Sequence, residues 1–364
     1  MVSATALGGI LLGPIRALLS CMACERTRSD VLGSGERSRS FGGVKHARFH
    51  DPDVVYHGVI RTVQGRFLLR PDDKGHLAIL IAGVLGRAQE LYPSVRLYAD
   101  AWLSNHAHLL IKGCFPEVSS FFGFVEREIS RRWGSVIGWE GSMFQKFRSS
   151  ALPTPRSQLK ALSYVLAQSA KEHLVASPLQ WPGVHCAKDL PSGFTRRGIW
   201  FDGTAYGRER HKRLARKTDR SVPDRRDFER VSVVRFAKLP VLAHLSNQQY
   251  REYVAALVKQ IETDAAEERR RTGRELLGRG AVLRVERESR SALPPTPWFE
   301  KRRRMICWAR RYACETLAYL RRYWEFQKSF REASRSFLAG QIDARFPEGA
   351  FRPCVPVCPA ASSA

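Results

Sequence analysis

The chain has 364 residues, with 60 Lys and Arg against 35 Asp and Glu and a formal net charge of +25. That length supplies a core for one large or two modest domains. The charge excludes an anion-repelling surface and favours a polyanionic partner bound by counterion release, without saying which polyanion.

Residues 1–45 read as a disordered leader, with a weakly apolar stretch over 6–24 followed by Ser/Gly/Arg-rich sequence. Residues 9–19 have the apolar character of a signal peptide, and Leu18-Leu19-Ser20-Cys21 faintly resembles a lipoprotein cleavage site. No Lys or Arg precedes the run, however, and Arg16 interrupts it, so an unstructured leader is expected. No later segment approaches the ~20 apolar residues needed to span a bilayer.

Residues 46–190 read as one domain: a strand, a helix near 74–90, a hairpin, a helix near 118–133 and a further helix. This mixed order predicts an α+β fold with an antiparallel sheet. In the hairpin, residues 95–103 read as a strand, Ser104 and Asn105 supply turn chemistry, and 106–112 read as the antiparallel return. His106 and His108 open that return. At i and i+2 on a strand their imidazoles share one face and can share a divalent metal ion. Ten histidines in 364 residues give roughly 0.3 such pairs by chance, so the spacing needs support from elsewhere in the chain.

A candidate partner follows about 50 residues later. Thr154 can cap a helix and Pro155 fits its first turn, predicting a helix to about Ala170. At 100° per residue Leu159, Leu162, Val165 and Leu166 gather on one side, and Lys160, Tyr164, Gln168 and Lys171 on the other. A tyrosine retained for packing would normally lie beside the apolar stripe. A phenol, an amide oxygen and two imidazoles suit metal-assisted nucleophilic attack on a phosphodiester.

Residues 191–245 read as a basic, irregular linker; from Arg208 to Arg230 there are ten basic and five acidic residues. Residues 246–345 form a helical extension that begins with a capping-box pattern, Ser246 and Gln249, ahead of Tyr250, Val254, Leu257 and Ile261. Three prolines between 291 and 297 break the chain, and a long helix is expected over 298–339. That helix interleaves Lys301, Arg302, Arg303, Arg304, Arg310, Arg311, Arg321 and Arg322 with Trp308, Tyr312, Tyr319, Tyr323 and Trp324. Aromatics among arginines suit single-stranded nucleic acid, although packing of these aromatics on the core is the preferred reading. Residues 346–364 are a tail. The eight cysteines form no zinc framework: Cys21 and Cys24 stand alone in the leader, Cys354 and Cys358 lack a second pair, and free thiols in a reducing cytoplasm are expected.

Several segments together resemble the single-tyrosine HUH transposases, most closely the REP-associated tyrosine transposase group and its bacterial insertion-sequence relatives. Leu103-Ser104-Asn105-His106-Ala107-His108-Leu109-Leu110-Ile111 is similar to the family's Met-Pro-Asn-His-Val-His-Leu-Leu-Ile. Tyr56-His57-Gly58-Val59-Ile60-Arg61 resembles its opening strand, Tyr-His-Val-x-x-Arg. Gly141-Ser142-Met143-Phe144-Gln145-Lys146-Phe147 resembles the segment between the histidines and the tyrosine helix. Tyr164-Val165-Leu166-Ala167-Gln168-Ser169-Ala170-Lys171 keeps the frame of the tyrosine helix, with Ser169 where proline is common, and Pro178 and Trp181-Pro182 follow in register. The resemblance covers roughly residues 47–186. The stretch from Tyr250 to Pro353 also resembles C-terminal extensions of larger bacterial relatives, where DNA-end recognition or positioning is the expected use.

This resemblance implies a ferredoxin-like α+β core with a basic, mainly helical C-terminal extension. It implies that His106, His108 and Gln168 bind Mg²⁺ or Mn²⁺, and that Tyr164 attacks single-stranded or hairpin DNA to form a 5′-phosphotyrosine. Arg61, Lys146, Arg148, Lys160 and Lys171 are then the expected DNA contacts, in a cytoplasmic protein that acts as a monomer or a homodimer. A domesticated DNA-binding protein that keeps the fold without turnover is the alternative. A replication initiator or relaxase would usually need more than a single-tyrosine core, and an RNA-binding reading leaves the histidines and Tyr164 unexplained.

Overall fold

Residues 47–114, 116–215, 221–290 and 314–351 are described by the computed structural model. The leader with Cys21 and Cys24, the proline-rich segment 291–297, the basic block from Lys301 to Tyr312, and Cys354 and Cys358 lie outside the described residues.

Four strands, β1 (Val55–Arg61), β2 (Arg96–Trp102), β3 (His106–Lys112) and β4 (Arg148–Leu152), form an antiparallel sheet in the order β2-β3-β1-β4. Helix α1 (His76–Leu91) connects β1 to β2, and α2 (Glu117–Ile137) connects β3 to β4. This connectivity and strand order are those of a ferredoxin-like split βαβ unit, so the expected α+β class is observed. The two helices pack side by side. Gly58 has no side chain for a reason: a Cβ there would stand 2.4 Å from the Phe122 ring of α2, so α2 lies on the face shared by Gly58, Leu109 and Ser149.

The opposite face presents His57, Val59 and Arg61 of β1 beside Leu110, His108 and His106 of β3. Helix α3 (Pro155–Lys171) covers it, touching β2, β3 and β4. Thr154 caps α3 as expected, its side chain accepting from Ser157 N while the Ser157 side chain accepts from Thr154 N, with Pro155 in the first turn.

The segment expected to be irregular over residues 191–245 instead carries strands β5 (Thr195–Phe201) and β6 (Glu229–Arg235), which pair antiparallel, and helix α4 (Gly203–Ala215) between them. This two-stranded sheet packs on α1. Contact is backbone to backbone: a Cβ on Gly198 would stand 2.1 Å from Gly83 N, and one on Gly83 would stand 2.0 Å from Ile199 O. Gly198 and Ser232 read as loop residues in sequence, yet they are the small inward-facing residues that this close approach needs. Gly198→Val should lower the stability by about 3 kcal/mol, near the top of the usual cost of overpacking, because neither backbone can yield independently. The urea midpoint measures it, and an unchanged midpoint would mean that the hairpin does not seat on α1.

Helix α5 (Asn247–Thr272) starts at Ser246 with the predicted capping box, both reciprocal bonds to Gln249 being present. It buries Tyr250, Val254, Leu257 and Ile261 and packs on α3. A short helix, α6 (Arg279–Arg284), follows. Within the expected long helix the described part is α7 (Cys314–Leu338). Its Tyr319 and Phe326 are buried against Phe49, Arg322 pairs with Asp51, and Gln327 bonds both the N–H and the C=O of Ala47. These aromatics thus pack on the core, whereas Trp324 is exposed.

Two buried histidines outside the paired motif make the fold sensitive to acid. His185 accepts from Ala187 N through Nδ1, and burial pushes its pKa down to about 4. His50, bonded to Ser149 Oγ, is pushed to about 3 by burial and then by Arg48. An unfolded histidine takes its proton near 6.5, so between pH 6.5 and 4 the unfolded chain binds more protons and stability falls as the pH falls. For His185 the loss approaches about 3 kcal/mol. Urea midpoints at pH 7, 5.5 and 4.5 should drop progressively, and His185→Gln should flatten that slope.

Candidate active site

The hairpin turn at Ser104 and Asn105 starts β3 at His106, so the first and third residues of the strand carry the two imidazoles on the face that meets α3. Their ring centroids are 4.8 Å apart at 87°. His108 is almost fully buried, whereas His106 is half-buried at the strand's open end. From α3, Tyr164 stands edge-on to His108, centroids 5.4 Å apart, and edge-on to His57 at 5.8 Å. Lys171 Nζ lies over the Tyr164 ring, 4.9 Å from its centroid.

In sequence Gln168 belongs to the polar face of the helix. In the fold that face is turned onto the sheet, and Gln168 is 1 % exposed. Its Nε2 donates to Tyr164 O at 3.0 Å, and the amide faces both His106 and His108. Helix α3 is therefore buried on two sides, with Leu162, Val165 and Leu166 in the core and Gln168 on the histidines.

His57 completes the cluster, a part its sequence position did not reveal. Its Nε2 lies 2.8 Å from His108 Nδ1, and the two rings stack at 21°. The signal was available only through register: His57 pairs with Leu110 across the β1–β3 ladder, two residues from His108 on the same face. Asn105 was also read only for its turn chemistry, yet its Oδ1 lies 2.6 Å from His106 Nδ1.

The electrostatics keep all three imidazoles neutral. Burial lowers His57 to about 4, helped by His106. Burial and then Arg61 lower His106 to about 4, with Gln168 opposing. His108 falls well below its ordinary value through burial and its neighbours His106, His57 and Arg61. Neutral imidazoles are the form that binds a metal. His108 Nε2 is buried with no hydrogen-bond partner among the described residues. Two imidazole nitrogens and an amide oxygen fit a small divalent cation. Among the described residues no three His, Cys, Asp or Glu side chains form a metal group, so any such centre depends on Gln168.

No family model and no curated protein matches the chain. Among solved structures it is similar to a REP-associated tyrosine transposase bound to a REP hairpin, with a TM-score of 0.32 and 12% identity, over 42% of this chain and 87% of that one.

The expected DNA contacts fall into two groups. Arg61 ends β1 opposite His106, and Gln145 N donates to Arg61 O, which sets exposed Lys146 and Arg148 beside that strand end. Lys160 and Lys171 flank Tyr164 along α3, half-buried and exposed respectively. Cys114, Cys186 and Cys314 are free thiols, and among the described residues no helix is long and apolar enough to cross a membrane.

Proposed function

We propose that the chain cleaves and rejoins single-stranded DNA through Tyr164, as a single-tyrosine HUH transposase with Mg²⁺ or Mn²⁺ as cofactor. The observation that carries this reading is the Tyr164 ring packed edge-on against two neutral, buried histidines with the buried amide of Gln168 beside them. A tyrosine kept for packing has no need of such neighbours.

His106, His108 and Gln168 would hold the metal, which when bound withdraws charge from the scissile phosphate. The Tyr164 oxygen attacks phosphorus, the P–O3′ bond breaks, the phenolic proton leaves to solvent, and the 3′ oxygen departs as a hydroxyl. The product is a 5′-phosphotyrosine, and attack by another 3′-hydroxyl reverses the steps and rejoins the strand. Arg61, Lys146, Arg148, Lys160 and Lys171 neutralise the DNA backbone around the site. The net charge of +25 is in keeping with that partner.

The test uses single-stranded DNA from the regions flanking the chain's own gene, with Mn²⁺ or with EDTA. A protein–DNA adduct that survives denaturant and needs the metal supports the proposal. Tight binding with no adduct on any such strand supports the domesticated DNA-binding protein instead.

A further inference from the structure

The two imidazoles that face Gln168 each have their other ring nitrogen occupied. His106 Nδ1 meets Asn105 Oδ1 at 2.6 Å. The amide orientation of Asn105 is set by its own Nδ2, which donates to Gly65 O at 3.4 Å, so the oxygen is what His106 meets and His106 must carry its proton on Nδ1. His108 Nδ1 meets His57 Nε2 at 2.8 Å, and one proton is shared along that line. His108 Nε2 makes no hydrogen bond and is buried. An unprotonated nitrogen there, beside the Gln168 amide, is open to a cation.

We infer that Asn105 and His57 are positioning residues that hold His106 and His108 as Nδ1–H tautomers, so that both present Nε2 lone pairs toward Gln168. His57 acts through His108 by accepting its Nδ1 proton, and ring stacking at 21° fixes the plane in which His108 sits. An outer partner of this kind orients a ligand imidazole and raises its basicity. The inference rests on the metal reading above.

Two measurements separate the inference from that reading. In protein labelled with [¹⁵N]histidine and free of metal, the ring nitrogens of His106 and His108 should show protonated Nδ1 and unprotonated Nε2, the latter signals assigned by His106→Ala and His108→Ala. His57→Phe, which keeps the ring and removes the acceptor, should shift His108 away from that tautomer. A wild-type His108 protonated at Nε2 overturns the inference whatever the metal does.

The second measurement is Mn²⁺ titration. His57→Phe should bind about 10–100-fold more weakly than wild type, and His57→Gln, whose amide oxygen can accept the same proton, should recover to within a few-fold. Equal affinity in wild type and His57→Phe overturns the positioning role. Wild-type protein that binds no Mn²⁺ yet shows the predicted tautomer would sink the metal reading alone and leave the histidine arrangement standing.

Discussion

If the chain acts as proposed, Tyr164→Phe should form no denaturant-resistant adduct on strands that wild type captures, and should bind those strands as before. The substitution removes one oxygen and keeps the ring with its edge contacts to His57 and His108 and the Lys171 cation over its face. Tyr164 is half-buried on α3, so stability should change by no more than about 0.5 kcal/mol. On the proposed reading, binding depends on the surrounding basic residues, which are untouched. Quantifying adduct on a denaturing gel beside a filter-binding curve separates the two effects. Persistent adduct in the variant would move the nucleophile elsewhere and end the proposed role of Tyr164.

A second large effect is structural. Arg196→Met should lower stability by about 3–5 kcal/mol, the usual cost of removing one partner from a buried ion pair. Arg196 reaches from β5 to Asp100 of β2, its two terminal nitrogens 2.7 and 2.8 Å from the carboxylate oxygens, and also bonds Asp189. Asp100 is fully buried. Burial works against the Arg196 charge, but Asp100 and Asp189 outweigh it and raise the guanidinium's pKa. Without the arginine the fully buried Asp100 carboxylate is left unpaired beside the partly buried Asp189, against a total stability of roughly 5–15 kcal/mol for a typical domain. Asp100→Asn in the Arg196→Met background should restore much of the loss, because the stranded charge is then gone. A fall of less than about 1 kcal/mol in urea unfolding of the single variant would mean that water reaches Asp100.

Much of the fold was legible because its signals are local. The turn at Ser104 and Asn105, the cap at Thr154 with Pro155 behind it, and the Ser246–Gln249 box each lie within four residues of the structure they specify. β5 and β6 were not, since their outward positions include Arg197, Glu229 and Arg235, and 27 residues separate Phe201 from Glu229. Their inward positions, Gly198 and Ser232, have the composition of a loop because the surface they meet is a helix backbone. In the candidate site, the shared face of His106 and His108 followed from strand spacing, and the place of Tyr164 away from the apolar stripe from helical periodicity. The burial of Gln168 was not legible, because helical periodicity separates faces without saying which one a sheet will cover. Nor was the place of His57, which depends on pairing between strands about 50 residues apart.

The Arg196 link to Asp100 also sets a clock. The two residues are 96 apart in sequence, and at about 5–20 residues per second Arg196 is synthesised roughly 5 to 20 s after the carboxylate it must meet. During that interval the Asp100 carboxylate lacks its arginine, and burying it unpaired is costly. The nascent chain can therefore pair Asp100 with Arg196 only after residues beyond the four-stranded sheet have been made. A ribosome paused between β4 and β5 would present a chain in which Asp100 has no arginine to meet.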